Sequence, residues 1–267
     1  MVRYIKMSIN SLKIIALVFM VMDHIGEFFS QTPMWFRLVG RISAPIFFYC
    51  SAWGFFYTSD RKKYLIRLYF MGLLMSLGNI ILQILFPKEI LLNNNIFTTL
   101  FLGCMTVYLF EKDNMITSKL KWLILLIVQQ IIAFFLCVVF AELLQIPKFL
   151  DIYILYYAYG SLFGSAFFTE GSIWFVIYYV FVYFLKNKKL FLSLFVMFFS
   201  FVLEVFVRRT HYMRGAAMYL FPFFDFQWLM MLVVPFFWIY NGKKGKGIKW
   251  FYYLIYPLHI WLLYILS

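Results

Sequence analysis

Charged residues are scarce in this sequence: they make up 13% of its 267 residues, and only 11 of them are acidic. Soluble domains carry about 25% charged residues, so a chain of this composition cannot cover a surface that faces water. Hydrophobic residues reach 65%, and the mean hydropathy is +0.87. The scarcity of charge therefore excludes a soluble globular protein and indicates a protein whose solvent is lipid.

Cysteine is also rare, with three copies at Cys50, Cys104 and Cys137. They lie far apart inside apolar runs and show neither the spacing of a metal site nor a paired disulfide framework. We therefore expect no bound metal and predict that all three are small residues of the helical core.

Long apolar runs dominate what is present. At roughly 20 apolar residues per crossing, the length allows about eight to ten spans and leaves no room for a separate domain. We predict an all-α fold, a polytopic transmembrane helical bundle with about nine to ten membrane-embedded helices, formed by a single domain over 1–267. The segment 152–168 is ambiguous and is predicted to be external or re-entrant. The predicted crossings are 12–29, 37–58, 64–86, 95–111, 119–144, 171–185, 189–207, 217–240 and 249–266.

The net charge of +13 lies in short clusters between the apolar runs. Nucleic-acid binding would need a basic face outside the membrane, so no nucleic-acid partner is expected. The positive-inside rule predicts that the N-terminus and the loops at 59–63 and 241–248 are cytoplasmic and that 87–94 is outside. The first helix is predicted to be uncleaved, because no small-residue cleavage site follows it. The basic stretch 208–214 fits this topology worst.

Ionisable residues at membrane depth usually mark a site, and the first helix carries three. Lys13 and His24 are eleven residues apart, which places them on one helix face about 16 Å apart. Asp23 points about 100° away from His24, so it need not contact the histidine.

The second and last spans carry partners for His24. Arg37 and Arg41 are spaced i, i+4 and share a face, and His259 follows Pro257, which should kink the last helix. We predict that His24, Arg41 and His259 line one polar cavity in the outer half of the membrane, within roughly 12 Å of one another.

Structural interpretations remain open for each of these residues. An intramembrane histidine can be an interhelical hydrogen-bonding residue, and Asp23 with Arg41 can be a structural ion pair. Arg37 is interpreted as snorkelling to the interface, and His211 as a surface residue. Asn79 and Asn95 are predicted to face the same layer as Arg41.

Ordered blocks along the chain resemble the TraX family, named for the pilin acetylase of conjugative plasmids. The first block reads Ser-Leu-Lys-Ile-Ile-Ala and then Met-Asp-His-Ile-Gly, and the last ends in Tyr-Pro-Leu-His. The resemblance is strong at both ends of the chain and weak between 142 and 228. The matching blocks are 11–16, 22–26, 37–47, 61–68, 95–100, 240–245 and 251–259.

The resemblance extends to membrane acyltransferases that use acetyl-CoA, in one large family of which an Arg and a His stand eleven residues apart on the first helix. Here Lys13 replaces that arginine, which leaves a point charge instead of a planar fork. The resemblance implies transfer of acetyl from cytosolic acetyl-CoA to an acceptor at or across a bacterial inner (cytoplasmic) membrane, which the chain crosses several times. The acceptor would be an amine or hydroxyl of a pilin N-terminus, a peptide or a glycan.

The same resemblance suggests roles for the singled-out residues. His24 would be the general base and Arg41 the stabiliser of the oxyanion, with Asp23 and His259 completing the catalytic set. His259 could be a second base, an orienting residue or a packed side chain, and an acetyl-histidine intermediate stays open. The residues suggested to hold the phosphates of CoA are Lys13, Arg61, Lys62, Lys63 and Arg67.

Two other functions compete with the acetyltransferase. Buried charge also suits a transporter or flippase for a small or lipid-linked substrate, although the paired broken helices typical of transporters are not evident in the sequence. A non-enzymatic assembly factor is the third possibility, and it predicts that His24 is dispensable.

Overall fold

The computed structural model of the chain describes residues 6–144, 151–211, 226–245, 247 and 249–267. Within these residues the chain is helical without a strand, apart from one isolated bridge between Met7 and Tyr240. The predicted all-α class is therefore confirmed. The helices are α1 (Ile9–Phe28), α2 (Trp35–Gly40), α3 (Ser43–Tyr57), α4 (Arg61–Leu85), α5 (Ile96–Phe110), α6 (Ile116–Leu143), α7 (Tyr153–Phe163), α8 (Ser172–Leu185), α9 (Lys189–His211), α10 (Val234–Ile239) and α11 (Lys249–Leu266), with 3₁₀ helices at Ala166–Phe168 and Gln227–Val233.

Three of these helices, α1, α4 and α6, are long and apolar enough to cross a membrane. Many of their large apolar side chains are exposed, for example Phe70 of α4 and Phe135 of α6. Apolar side chains that no protein atom covers are the signature of a surface that contacts lipid. The chain is therefore a membrane protein, while the number of crossings stays a prediction.

The predicted continuous helix at 37–58 is wrong, because the chain breaks at Arg41-Ile42 between α2 and α3. Pro45 has no N–H and cannot donate to the carbonyl of Arg41 four residues earlier. The N–H of Ile42 donates instead to the Val39 carbonyl at 3.2 Å, in the tighter i−3 pattern. Because of this break, α3 is a separate helix from α2, the short helix that carries Arg37.

The ambiguous segment 152–168 forms α7 followed by a turn and a 3₁₀ helix. The 11 residues of α7 rise about 16 Å, roughly half the hydrocarbon thickness, so this helix alone does not cross. Gln129 and Gln130, midway along α6, donate to the carbonyls of Phe163 and Gly164 at 3.1 and 2.9 Å. Such side-chain partners are what non-helical backbone requires at membrane depth.

Some predictions fall on residues that are not described. The crossing at 217–240 is described from 226 onward, where the chain forms a 3₁₀ helix and α10. The side chain of His211, predicted at the surface, and residues 212–214 of the basic stretch 208–214 lie outside the described part of the chain.

The chain divides into two compact units. The terminal unit comprises Met1–Phe56 and Phe181–Ser267, and the middle unit comprises Tyr57–Val180. In the terminal unit α1 packs on α2 and α11, and in the middle unit α4 packs on α5 and α7. The single acyltransferase-like domain stays a prediction. All three cysteines are free and fully buried, which confirms their predicted place in the core.

Candidate active site

The first and last helices of the chain meet at two histidines. Nδ1 of His24 lies 2.8 Å from Nε2 of His259, and the ring centroids are 5.0 Å apart with 26° between the ring planes. Both side chains are buried, with 4% and 8% of their surface exposed. The predicted proximity of the two histidines, which are 235 residues apart in sequence, is confirmed.

The hydrogen-bond network selects one tautomer for each ring. Nδ1 of His259 lies 2.7 Å from the carbonyl oxygen of Ile255, and a carbonyl only accepts, so this nitrogen carries the proton. Nε2 of a neutral His259 is then an acceptor, and Nδ1 of His24 must donate to it. In a neutral His24 the remaining nitrogen, Nε2, is therefore left with a lone pair and no proton.

That lone pair is the reactive feature of the pair. Within the described part of the chain, no protein group hydrogen-bonds to Nε2 of His24. Aromatic rings surround the pair, with Tyr256 centred 6.5 Å from His24 and 5.8 Å from His259, and Phe28 centred 6.5 Å from His24. An imidazole whose orientation is fixed by a hydrogen bond to a second ring is suited to take a proton from a bound substrate.

A cluster of opposite charges lies one residue away from the base. Nη1 of Arg37 is 3.0 Å from Oδ1 of Asp23 and 3.1 Å from Oε2 of Glu27. The interpretation of Arg37 as a residue that merely snorkels is therefore wrong, because two carboxylates hold its guanidinium. Sequence reasoning missed Glu27, although Asp23 and Glu27 are spaced i, i+4 like Arg37 and Arg41 and so present a matching pair of charges.

Arg41 makes the looser contact with this cluster. Its Nη1 lies 4.0 Å from Oδ2 of Asp23, at the limit of an ion pair, so the predicted pairing of Asp23 with Arg41 is present but weak. Asp23, Arg37 and Arg41 all lie near enough to act electrostatically on His24. Whether Arg41 lines a cavity shared with the two histidines stays a prediction.

Glycines allow α2 to approach α1 closely enough to form the cluster. A Cβ on Gly40 would lie 2.2 Å from Cβ of Asp23, and one on Gly26 would lie 3.0 Å from the side chain of Arg37. Only glycine leaves room for backbone at such distances. The hydroxyl of Ser43 then donates to the carbonyl of Ala16 at 2.9 Å, which fixes the start of α3 against α1.

The residues suggested to hold CoA phosphates are not gathered in one unit. Lys13 belongs to the terminal unit, where its Nζ lies 5.1 Å from the centre of the Tyr252 ring. The other four begin α4 in the middle unit. There Arg61 pairs with Glu111, Lys63 pairs with Asp60 at 3.2 Å, Lys62 is exposed, and the guanidinium of Arg67 lies 6.0 Å from the Tyr64 ring.

Asp60 also caps α4. Its carboxylate accepts from the backbone N–H of Lys63 at 2.9 Å, and this bond holds the pKa of the carboxyl below its ordinary value. Arg61 and Lys63 at this helix start thus face acidic partners already present in the protein, which leaves less positive charge for a phosphate.

The middle unit contains a separate cluster of neutral polar groups. The amide of Asn95 donates to the Gly72 carbonyl at 2.9 Å and to the hydroxyls of Ser76 and Ser161 at 2.9 and 3.0 Å. Asn79 donates to the carbonyl of Asn94 at 3.1 Å. Asn79 and Asn95 thus donate hydrogen bonds to backbone carbonyls and side-chain hydroxyls of their own unit.

Metal ligands do not gather in the part of the chain that the structure describes: no three His, Cys, Asp or Glu side chains lie close enough together to hold an ion. The chemistry available to the described site is that of imidazole, guanidinium and carboxylate groups.

Comparison with known proteins identifies relatives by sequence. A family model described as "TraX protein" matches residues 8–267. The "Probable fimbrial assembly protein FimC, serogroup H1" of Dichelobacter nodosus is 36% identical over 78 residues, which are 28% of this chain and 32% of that protein. The match thus spans about a third of the length of that relative. No solved structure matches the chain.

Proposed function

The chain belongs to the TraX family, and from that premise we propose that it is an integral membrane acetyltransferase that uses acetyl-CoA. The observation that carries the proposal is the buried His24–His259 pair, in which one nitrogen is left as an oriented base. Attack of an amine or hydroxyl on a thioester is assisted by a general base of this kind.

The proposed reaction is a direct acetyl transfer. Nε2 of His24 takes a proton from the acceptor amine or hydroxyl while the acceptor nitrogen or oxygen attacks the thioester carbonyl carbon. The C–S bond then breaks, the acetyl group stays on the acceptor, and the leaving CoA thiolate receives the proton. If Nε2 instead attacked the thioester itself, the product would be an acetyl-histidine, which mass analysis of the protein without acceptor would detect.

His259 is proposed as a positioning residue in this reaction. Its Nε2 accepts the Nδ1 proton of His24 at 2.8 Å, and its own Nδ1 is fixed by the Ile255 carbonyl at 2.7 Å. This chain of bonds keeps the lone pair of His24 on Nε2 and stabilises the imidazolium that forms when the proton is taken. The logic is that of a base oriented by a third group.

Arg41 is proposed as the group that stabilises the oxyanion of the tetrahedral intermediate. Nη1 of Arg41 lies 4.0 Å from Oδ2 of Asp23, and Asp23 directly precedes His24 in the sequence. A guanidinium close to the base is suited to stabilise the negative charge that develops on the carbonyl oxygen of the intermediate. Asp23 then serves to hold both arginines near His24.

The acceptor is proposed to be the amine or hydroxyl of a pilin-like peptide or of a glycan, at or across the bacterial inner membrane. The family and the name of the fimbrial relative support a link to pilus-type assembly. Acetyl-CoA would enter from the cytoplasm, on the side that the basic loops predict.

The test is acetyl transfer by the purified protein. We expect CoA thiol release and an acceptor heavier by one acetyl group, and we expect His24→Ala to lower turnover by roughly 10²- to 10⁴-fold. Ser200→Ala, a buried hydroxyl change in the same unit, is the matched control and should retain activity. Normal turnover in a folded His24→Ala protein would refute the assignment; substrate uptake into liposomes without CoA release would favour a transporter.

A further inference from the structure

The loop before the last helix is hydrogen-bonded to the start of the first helix. The N–H groups of Ile9 and Asn10 donate to the carbonyls of Lys243 and Lys244 at 3.0 and 3.1 Å, and the N–H of Asn241 donates to the Met7 carbonyl at 3.0 Å. Helix α1 thus completes its N-terminal hydrogen bonds with the loop. We define residues 241–245 as the lysine loop.

The conformation of the lysine loop depends on two glycines. Gly242 and Gly245 have φ angles of 77° and 75°, which side chains other than glycine rarely adopt. A Cβ on Gly245 would also lie 2.4 Å from Oγ of Ser8. The two glycines permit this turn, and the backbone hydrogen bonds to Met7, Ile9 and Asn10 hold the loop from which the lysines project.

Lys13 joins the loop through shared contacts. Its Nζ lies over the Tyr252 ring, the hydroxyl of Tyr252 donates to Oδ1 of Asn10 at 2.7 Å, and the N–H of Asn10 bonds the carbonyl of Lys244. These contacts bring the backbone of Lys244 to the first turn of α1, about one helical turn before Lys13. Like charges brought together by a fixed backbone raise the free energy of the protein unless an anion offsets them.

No acidic side chain offsets this charge in the part of the chain that the structure describes. Lys13, Lys243 and Lys244 make no ion pair there, whereas Arg61 and Lys63 of α4 each pair with a carboxylate. The positive-inside rule alone explains why a cytoplasmic loop contains lysines. It does not explain why the loop backbone is hydrogen-bonded to α1 or why the loop is linked to Lys13 through Asn10 and Tyr252.

We infer that Lys243 and Lys244, with Lys13, form a binding site for the phosphate groups of coenzyme A. The inference deepens the proposed function and rests on it. Lys13 lies about 16 Å along α1 from His24, a separation that suits CoA because its pantetheine arm is an extended chain between the phosphates and the thioester. The resemblance to membrane acyltransferases suggested this role for Lys13 but not for the lysine loop.

The experiment measures binding of acetyl-CoA and of adenosine 3′,5′-bisphosphate to the purified full chain. Ion pairs of lysine with phosphate are charge-assisted hydrogen bonds, and each contributes about tenfold to affinity. We expect the double variant Lys243→Gln, Lys244→Gln to weaken binding of both ligands at least about tenfold, and the matched double variant Lys119→Gln, Lys121→Gln, which removes the same charge from α6, to bind as the unaltered chain does.

Equal binding by the lysine-loop variant and the unaltered chain overturns the inference, as does the absence of nucleotide binding by the unaltered chain. Binding of the bisphosphate that depends on the loop, without any acetyl transfer, would refute the proposed acetyltransferase and leave the phosphate site standing. The variant Lys243→Arg, Lys244→Arg keeps the charge and should restore binding.

Discussion

The two units of the chain use buried polar groups differently. In the terminal unit they are ionisable, and the pairing of His24 with His259 leaves one ring nitrogen unpartnered among the described residues. In the middle unit they are neutral amides and hydroxyls, and Asn95 spends its donors on backbone and on two serines. Polar groups in lipid are costly either way, and of these two clusters the histidine pair is the one whose chemistry includes taking up a proton.

The difference between the two units predicts that the neutral cluster around Asn95 contributes to stability and not to catalysis. Asn95→Ala removes the two N–H donors that are shared among the Gly72 carbonyl and the two serine hydroxyls, together with the cap on Thr98, so we expect a loss of about 3 kcal/mol in unfolding free energy at roughly 1 kcal/mol per bond. Turnover per folded molecule should not change. Thermal unfolding in detergent measures the loss, and Thr106→Ala, whose hydroxyl bonds only the Leu102 carbonyl of its own helix, is the control.

The second prediction concerns the positioning role of His259. Replacing it with Leu removes the acceptor of the Nδ1 proton of His24, so we expect turnover to fall roughly 10²-fold with little change in stability. His259→Gln keeps an acceptor oxygen and should retain more activity than Leu. Turnover of the two variants at saturating acetyl-CoA is the measurement. Equal activity of the Leu and Gln variants would mean that His259 only packs.

The third prediction tests the approach of α2 to α1. Gly40→Ala places a methyl 2.2 Å from Cβ of Asp23, which α2 must relieve by moving, and overpacking of this kind costs about 1–3 kcal/mol. Gly26→Ala meets mainly the flexible side chain of Arg37 at 3.0 Å and should cost less. Unfolding temperatures of the two variants rank them, and the reverse order would contradict the described packing.

The smallest effect is expected at Glu27. Glu27→Gln removes one of the two carboxylates on Arg37 but leaves Asp23 at 3.0 Å, so the stability should fall by about 1 kcal/mol or less, as for partly exposed pairs. Asp23→Asn should cost more, because Asp23 contacts both arginines. Thermal unfolding of both variants tests this difference, and a larger loss at Glu27 would reassign the main partner of Arg37.

Much of the helical layout follows from the sequence alone. The predicted spans 64–86, 95–111 and 119–144 differ by at most three residues at either end from α4, α5 and α6, because long apolar runs in lipid have to satisfy their backbone as helices. The helical repeat alone also predicts that Lys13 and His24, which are eleven residues apart, share one face of α1. The break in 37–58 was foreseeable from Pro45, since a missing N–H is a local property.

The partners across helices depended on tertiary structure. The sequence places His24 and His259 on helices at opposite ends of the chain, but only their packing sets the 2.8 Å contact and thereby the nitrogen that keeps its lone pair. Likewise, the sequence predicted that Arg37 lies at the membrane interface. In the structure, where α2 packs closely on α1 at Gly40, its guanidinium contacts Asp23 and Glu27 instead. Composition and helical period determine which residues lie in the membrane and at what depth; hydrogen bonds between distant segments, which no local pattern encodes, determine what those residues can do.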